Sequence, residues 1–185
     1  MHLLVQLYSD VKYVALLRGV NVGGKRRVEM VRLRETLVSM GFYNVSTYIN
    51  SGNALFSSEN PPDPTEIRRV LEGIFQCDIP LLVYSEDEIL QIAHSIPAQW
   101  HNDTEQKTDV LYLFDEIDAL TLVDILSAKP EIESCIHVDR AIIYTISRKN
   151  QSKGSLLRIA GTVAYRQVTI RNATTARKLA DLITD

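Results

Sequence analysis

The order in which strand-like and helix-like stretches alternate constrains the fold of this chain more than any other feature. Tyr13–Arg18 (YVALLR) is a compact apolar run with strand character. A glycine-rich loop follows, then Glu29–Met40, where Met30, Leu33, Leu37 and Met40 recur at helical spacing. Gly41 stands where a helix C-cap is wanted. Asn44–Ile49 and Ala54–Ser57 read as a strand pair joined by a Ser51-Gly52-Asn53 turn. Thr65–Gln76 carries Ile67, Val70, Leu71 and Ile74 on one helical face, and Pro80–Tyr84 is a further strand. The series is β-α-β-β-α-β.

The same order then returns. Ser85-Glu86-Asp87-Glu88 resembles a capping box opening a linking helix, and Pro97–Lys107 is polar and irregular. Asp109–Phe114 reads as strand, and Ala119–Ala128 as a helix stopped before Pro130. Ser134–Val138 and Ala141–Ser147 are strands joined at an Asp139-Arg140 corner. Ser155–Tyr165 has mainly helical spacing, Gln167–Arg171 is a strand, and Thr174–Ile183 closes as a helix with Thr174 and Thr175 as candidate caps. The fold class expected is α+β: two tandem ferredoxin-like βαββαβ units with antiparallel sheets, plus a linking helix and a C-terminal helix. The expected boundaries are an N-terminal extension at 1–11, a first unit at 12–84, a link at 85–107 and a second unit at 108–185. A chain of 185 residues can bury roughly 70% of its unfolded surface, enough for two small packed cores.

Several classes are disfavoured at once. No apolar run approaches the ~20 residues of a membrane span. Met1–Leu7 lacks a basic n-region and a small-residue cleavage site, so it reads as a local extension. Cys77 and Cys135 lack CxxC spacing, which points to reduced thiols in a cytoplasmic setting. His2, His94, His101 and His137 show no paired ligand spacing, so neither a metal nor a cofactor is expected.

The net charge of −3 conceals strong segregation. Residues 1–58 carry seven Lys/Arg against three Asp/Glu, 59–139 carry four against eighteen, and 140–178 carry nine with no acid. Nine cations without a counter-charge repel one another unless something negative lies close. Either the chain's own acidic middle or an anionic ligand would serve.

Four segments concentrate candidate ligand groups. Arg18-Gly19-Val20-Asn21-Val22-Gly23-Gly24-Lys25 joins the first strand to the first helix, and its glycines bring backbone N–H groups close to an approaching anion. Gly19 to Lys25 fits G-x-x-x-x-G-K, but Arg26 stands where a phosphate loop needs Ser or Thr, and the element order lacks repeated βα units. Ser51 and Asn53 flank the hairpin turn. Arg148, Ser152 and Lys153 lie ahead of a helix start at Ser155, whose free N–H groups favour an anion. Arg171 and Asn172 end a strand, and Lys178 follows Arg177 in what reads as the first turn of the last helix, where cations oppose the helix dipole.

Together YVALLRGVNVGG, TYINSGN, SRKNQSKGSLLR and VTIRNATTARKL resemble the bacterial domain-of-unknown-function family numbered 1697, over about residues 12–183. That resemblance implies two ferredoxin-like units and no established activity. It also implies an aromatic residue after the Arg-Asn pair, where this chain has Ala173, and commonly Ser where this chain has Gly154.

The first functional expectation is an anion-binding module taking a phosphate-bearing small molecule or nucleotide in a basic cleft between the units. Its contacts would be Arg18, Asn21, Gly23, Gly24, Lys25, Ser51, Asn53, Arg148, Ser152, Lys153, Arg171, Asn172 and Lys178. RNA ranks below a small anion, because Tyr13, Tyr48, Phe56 and Tyr144 offer stacking faces but no RNP1-type run accompanies them. An enzyme acting on a phosphorylated or anionic substrate is the second reading, with Lys153 stabilising charge and Ser51 or Ser152 assisting; its weakness is the missing base. The third is an assembly protein, acidic middle against basic segment, in an oligomer. No membrane partner is expected.

Overall fold

The computed structural model describes residues 11–24 and 26–185. The expected N-terminal extension therefore falls almost wholly outside the described residues, as does Lys25. The chain divides into two compact units, the first ending at Glu86 and the second running from Asp87 to Asp185. Among the described residues there are two four-stranded antiparallel sheets and seven α-helices. None of these helices is long and apolar enough to cross a membrane.

The first unit holds β1 (Val11–Leu17), α1 (Met30–Ser39), β2 (Tyr43–Tyr48), β3 (Asn53–Ser58), α2 (Pro64–Phe75) and β4 (Leu81–Ser85), with strand order β2-β3-β1-β4. Side chains alternate across each strand. Ala15 and Leu17 of β1, Ala54 and Phe56 of β3 and Leu81 of β4 thus share a face, packed with Leu33 and Leu37 of α1 and Ile67 and Leu71 of α2. Val14 and Leu16, pointing the other way, are also fully buried, which is why YVALLR shows no polar alternation. Gly41, at φ +92°, follows the end of α1 in the left-handed conformation that relieves a helix terminus. Asp63 accepts a hydrogen bond from the Thr65 amide at 2.8 Å and caps α2, with Pro64 in the first turn.

The helix α3 (Glu86–His94) leads into the second unit, and the irregular stretch after it belongs there too. That unit contains β5 (Gln106–Leu113), α4 (Ala119–Leu126), β6 (Glu133–Val138), β7 (Ala141–Ser147), a 3₁₀ segment Arg148–Lys153, α5 (Ser155–Arg158), α6 (Val163–Arg166), β8 (Val168–Asn172) and α7 (Ala173–Thr184). Its strand order, β6-β7-β5-β8, repeats that of the first sheet. Leu111 and Leu113 of β5, Ile142, Tyr144 and Ile146 of β7 and Val168 of β8 pack against Leu122 and Leu126 of α4 and Leu156 of α5.

Two expectations need correction. The helix expected at Ser155–Tyr165 is two short helices, because Gly161 takes φ +85° and Thr162 starts α6 by accepting from the Tyr165 amide. The last helix begins at Ala173, and its cap is Asn172, whose Oδ1 accepts from the Thr175 amide at 2.8 Å. Thr174 and Thr175 lie inside the helix, and Arg177 and Lys178 lie past its first turn, which removes the conflict with the dipole. Asn172→Ala is expected to cost about 1 kcal/mol, with Asn172→Asp restoring it. Urea unfolding of the three proteins measures the difference.

Candidate functional site

In the first unit, the glycine-rich loop and the hairpin turn are one construction. The Asn21 carboxamide donates to the carbonyls of Val28 and Asn50, each at 2.8 Å, and accepts from the Val28 amide at 2.9 Å. Leu17 N–H donates to the Gly52 carbonyl at 2.8 Å. Gly52, at φ +79°, lies so close beneath the loop that a Cβ there would sit 2.6 Å from Val20 Cγ2. Asn53 is fully buried and donates to Tyr48 O at 2.9 Å and Ser51 Oγ at 3.1 Å. The carboxamides of Asn21 and Asn53, expected to reach a ligand, therefore bond the backbone: Asn21 ties the loop to the turn, and Asn53 braces the hairpin itself.

The loop tip differs from its root. Gly23 and Gly24 take φ +63° and +74°, and an added Cβ at either would meet nothing within 4 Å. Conformation, not crowding, demands glycine there. Arg18 is half-buried at the loop's start, its amide bound to Pro80 O at 2.8 Å. Arg26, whose Nη1 lies 3.3 Å from where a Cβ on Gly19 would sit, pairs with Asp78 at 2.8 Å, as does Arg68, which also holds Glu72.

The acid-free basic segment of the second unit finds its partners in backbone carbonyls more than in carboxylates. Arg148 donates to Asp103 O at 2.9 Å and reaches Asn102 and Gln151, fastening the stretch before β5. Arg158 donates to Leu126 O at 3.0 Å, at the C-terminal end of α4 where a cation suits the helix dipole. Arg177 forks to Pro97 O and Trp100 O at 3.0 and 3.1 Å. Arg140 alone of this group forms ion pairs with acids among the described residues, Glu88 at 2.9 Å and Asp115 at 3.6 Å. Arg171 is 7% exposed and donates to Thr169 Oγ1 and Ile170 O. Burial lowers its guanidinium to about 10, against the pull of Tyr112. Ser152 and Lys153 are exposed, and Lys178 is half-buried. Arg148 and Asn172, expected as ligand contacts, have internal roles.

A buried cluster that sequence reasoning missed lies beside these residues. Glu133, 3% exposed, receives Lys129 N–H at 2.8 Å, Ser155 N–H at 2.9 Å, Ser155 Oγ–H at 2.6 Å and the Tyr144 hydroxyl. Burial pushes its carboxyl up, but the bonds from Ser155, Tyr144 and Lys129 outweigh it and leave it below its ordinary value. Gly154 has no room for a side chain, since a Cβ would lie 2.7 Å from Tyr144 Oη. Asp109 is also buried, and pairs with Lys107 at 3.0 Å. Its sequence signal was alternation: Lys107, Asp109, Leu111 and Leu113 occupy one face of β5.

The aromatic faces considered for RNA are largely internal. Phe56 packs against Phe42 at 4.5 Å and Tyr13 at 5.9 Å, and Tyr144 is 2% exposed. Burial pushes the Cys135 thiol up, which disfavours a nucleophilic thiolate. No group of three metal-ligating side chains gathers among the described residues.

Residues 11–144 match the family described as protein of unknown function DUF1697, and the chain belongs to it. The two C-terminal motifs, with Gly154 and Ala173, lie beyond the matched residues. A solved structure described as conserved bacterial protein SP0830 from Streptococcus pneumoniae is 29% identical, with TM-score 0.75, covering 95% of this chain and 99% of its own. The acetolactate synthase small subunit from Thermotoga maritima aligns at 18% identity over 89% of this chain and 93% of its own, but its TM-score of 0.22 carries no argument. No curated protein matches.

Proposed function

We propose that the chain is a pair of ferredoxin-like units serving as a binding module for a small phosphate- or carboxylate-bearing molecule, held at the glycine-rich loop of the first unit. The strand orders β2-β3-β1-β4 and β6-β7-β5-β8, within β-α-β-β-α-β successions, support the ferredoxin-like reading. The observation that carries the binding reading is the contrast within the loop. Its root is clamped by Asn21 and Gly52, while its tip holds left-handed Gly23 and Gly24 with open space beyond both. Sharp turns of this kind shape N–H groups into anion-holding concavities. Rigidity matters, because a preformed loop loses less entropy on binding. Arg18, at the start of the loop, is the candidate cation, and Lys25 follows Gly24 in sequence. A charge-assisted contact from arginine contributes about 1.5–3 kcal/mol, on the order of a tenfold or greater change in affinity.

Titrating nitrogen-15-labelled protein with inorganic phosphate and with ADP tests this. Amide shifts are expected at Gly19, Gly23 and Gly24, with Arg18→Gln weakening them about tenfold. Unmoved loop amides, or shifts indifferent to Arg18→Gln, would overturn the assignment.

A further inference from the structure

The second unit contains a cavity that the loop of the first does not involve. It measures about 220 Å³, below the roughly 300–1,000 Å³ of sites for drug-sized molecules, and so suits a smaller metabolite. Its floor is the sheet: Lys107 and Asp109 of β5, Tyr144 and Ile146 of β7, and Ile170 of β8. Its cover is Gln151, Leu156, Leu157, Ala160 and Tyr165, from the 3₁₀ segment, the two short helices and their junction.

The walls sort by chemistry. Ile146, Leu156, Leu157, Ala160 and Ile170 give an apolar body, while Lys107, Asp109 and Gln151 form a polar end. There the Lys107 ammonium lies 3.0 Å from Asp109 Oδ2, with the carboxylate side chain 7% exposed and the lysine 30% exposed. Each partner keeps bonding capacity, since a carboxylate accepts through two oxygens and an ammonium donates three protons. A ligand with only a negative group would meet Asp109 as well as Lys107, and one with only a positive group would meet Lys107 as well as Asp109. A molecule bearing both charges on neighbouring atoms satisfies both: its ammonium on Asp109, its carboxylate on Lys107, four charges alternating around a ring. The remaining walls are these aliphatic side chains with the rings of Tyr144 and Tyr165, which suit a hydrocarbon or aromatic side chain.

We infer that this cavity is a binding site for a free apolar α-amino acid, recognised by the Lys107–Asp109 pair at its polar end and by Ile146, Leu156, Leu157 and Ile170 along its side chain. Burial pushes the Asp109 carboxyl above its ordinary value, with Lys107 and Arg148 pulling against it. A ligand ammonium adds a further cation where the buried carboxylate most needs one. The site makes no use of the glycine-rich loop, so it stands or falls apart from the anion reading.

Calorimetric titration with L-leucine and L-phenylalanine tests the inference, alongside L-serine, 4-methylpentanoate and 3-methylbutylamine. Saturable binding of at least one apolar amino acid is expected, with L-serine and both single-charge analogues at least about tenfold weaker. Ala160→Trp fills the cavity from an exposed position on its cover and is expected to abolish binding while leaving the circular dichroism spectrum unchanged. Asp109→Asn is expected to erase the preference for L-leucine over 4-methylpentanoate. The inference is overturned if neither apolar amino acid binds below about 10 mM. Equal affinity for 4-methylpentanoate and L-leucine in the unaltered protein, or binding untouched by Ala160→Trp, would overturn it as well.

Discussion

Glu133→Ala is expected to destabilise the second unit by about 4 kcal/mol, a loss reserved for substitutions that strand buried polar groups. The carboxylate accepts from two backbone amides and two hydroxyls, and Ser155, one of the donor residues, is itself fully buried. Each donor left without an acceptor costs about 1–3 kcal/mol, partly recovered where water enters the space. Glu133→Gln keeps the volume and one acceptor oxygen, so its cost should be smaller. The dependence on pH follows from the sign of the shift. The folded protein holds Glu133 below its ordinary value, so the contribution is fully present above the unfolded carboxyl's titration range. It is lost as pH falls through the lower folded value. Urea midpoints measured from neutral to acid pH should therefore decline less steeply for Glu133→Gln than for the parent. Parallel curves would show that the carboxylate's charge contributes nothing.

Gly52→Ala carries the second large effect, about 3 kcal/mol, with consequences reaching beyond stability. The residue sits at φ +79°, where a Cβ costs roughly 1–2 kcal/mol on backbone grounds. The added methyl also meets Val20 Cγ2 at 2.6 Å and Leu17 Cβ at 2.7 Å, and overpacking of this kind costs typically 1–3 kcal/mol. Leu17 belongs to a central strand and cannot retreat, so Val20 and the loop above it must lift. Thermal unfolding should show a fall of several degrees. Amide shifts should spread from the turn into Gly19–Gly24, whereas Gly24→Ala, with open space beyond it, should disturb only its own neighbourhood. A Gly52→Ala protein as stable as the parent would mean that loop and turn do not bear on one another.

Strands and helices were legible where side-chain chemistry and backbone agree. AIIYTIS covers β7, with its β-branched and aromatic run from Ile142 to Ile146 at the strand's centre, and the Leu33–Leu37 spacing marks α1. The failure at Ser155–Tyr165 has a definite cause. Apolar spacing counts positions along the chain, and continues through Leu157, Ala160 and Val163 although Gly161 reverses its φ between them. At the candidate site, composition was legible and roles were not. Asn21, Asn53 and Asn172 were expected to face a ligand, yet their amides serve loop, hairpin and helix cap. A carboxamide that bonds its own backbone leaves the same letters in the sequence as one that bonds a guest. Glu133 was hidden for the converse reason, since it is one of eighteen acids in residues 59–139 and its letter carries no mark of its burial.

Four arginines of the second unit, Arg148, Arg158, Arg171 and Arg177, grip carbonyl oxygens, and this changes what their positive charge is for. A carbonyl neither gains nor loses a proton in the physiological range, so these ties hold at acidities that dissolve carboxylate pairs. They depend on a flat, forked shape more than on net charge, as Arg177 spanning Pro97 and Trp100 illustrates. Lysine would match the electrostatics of such positions and still fail to bridge them. At these four positions the charge works as carpentry, joining turns to helices and strands.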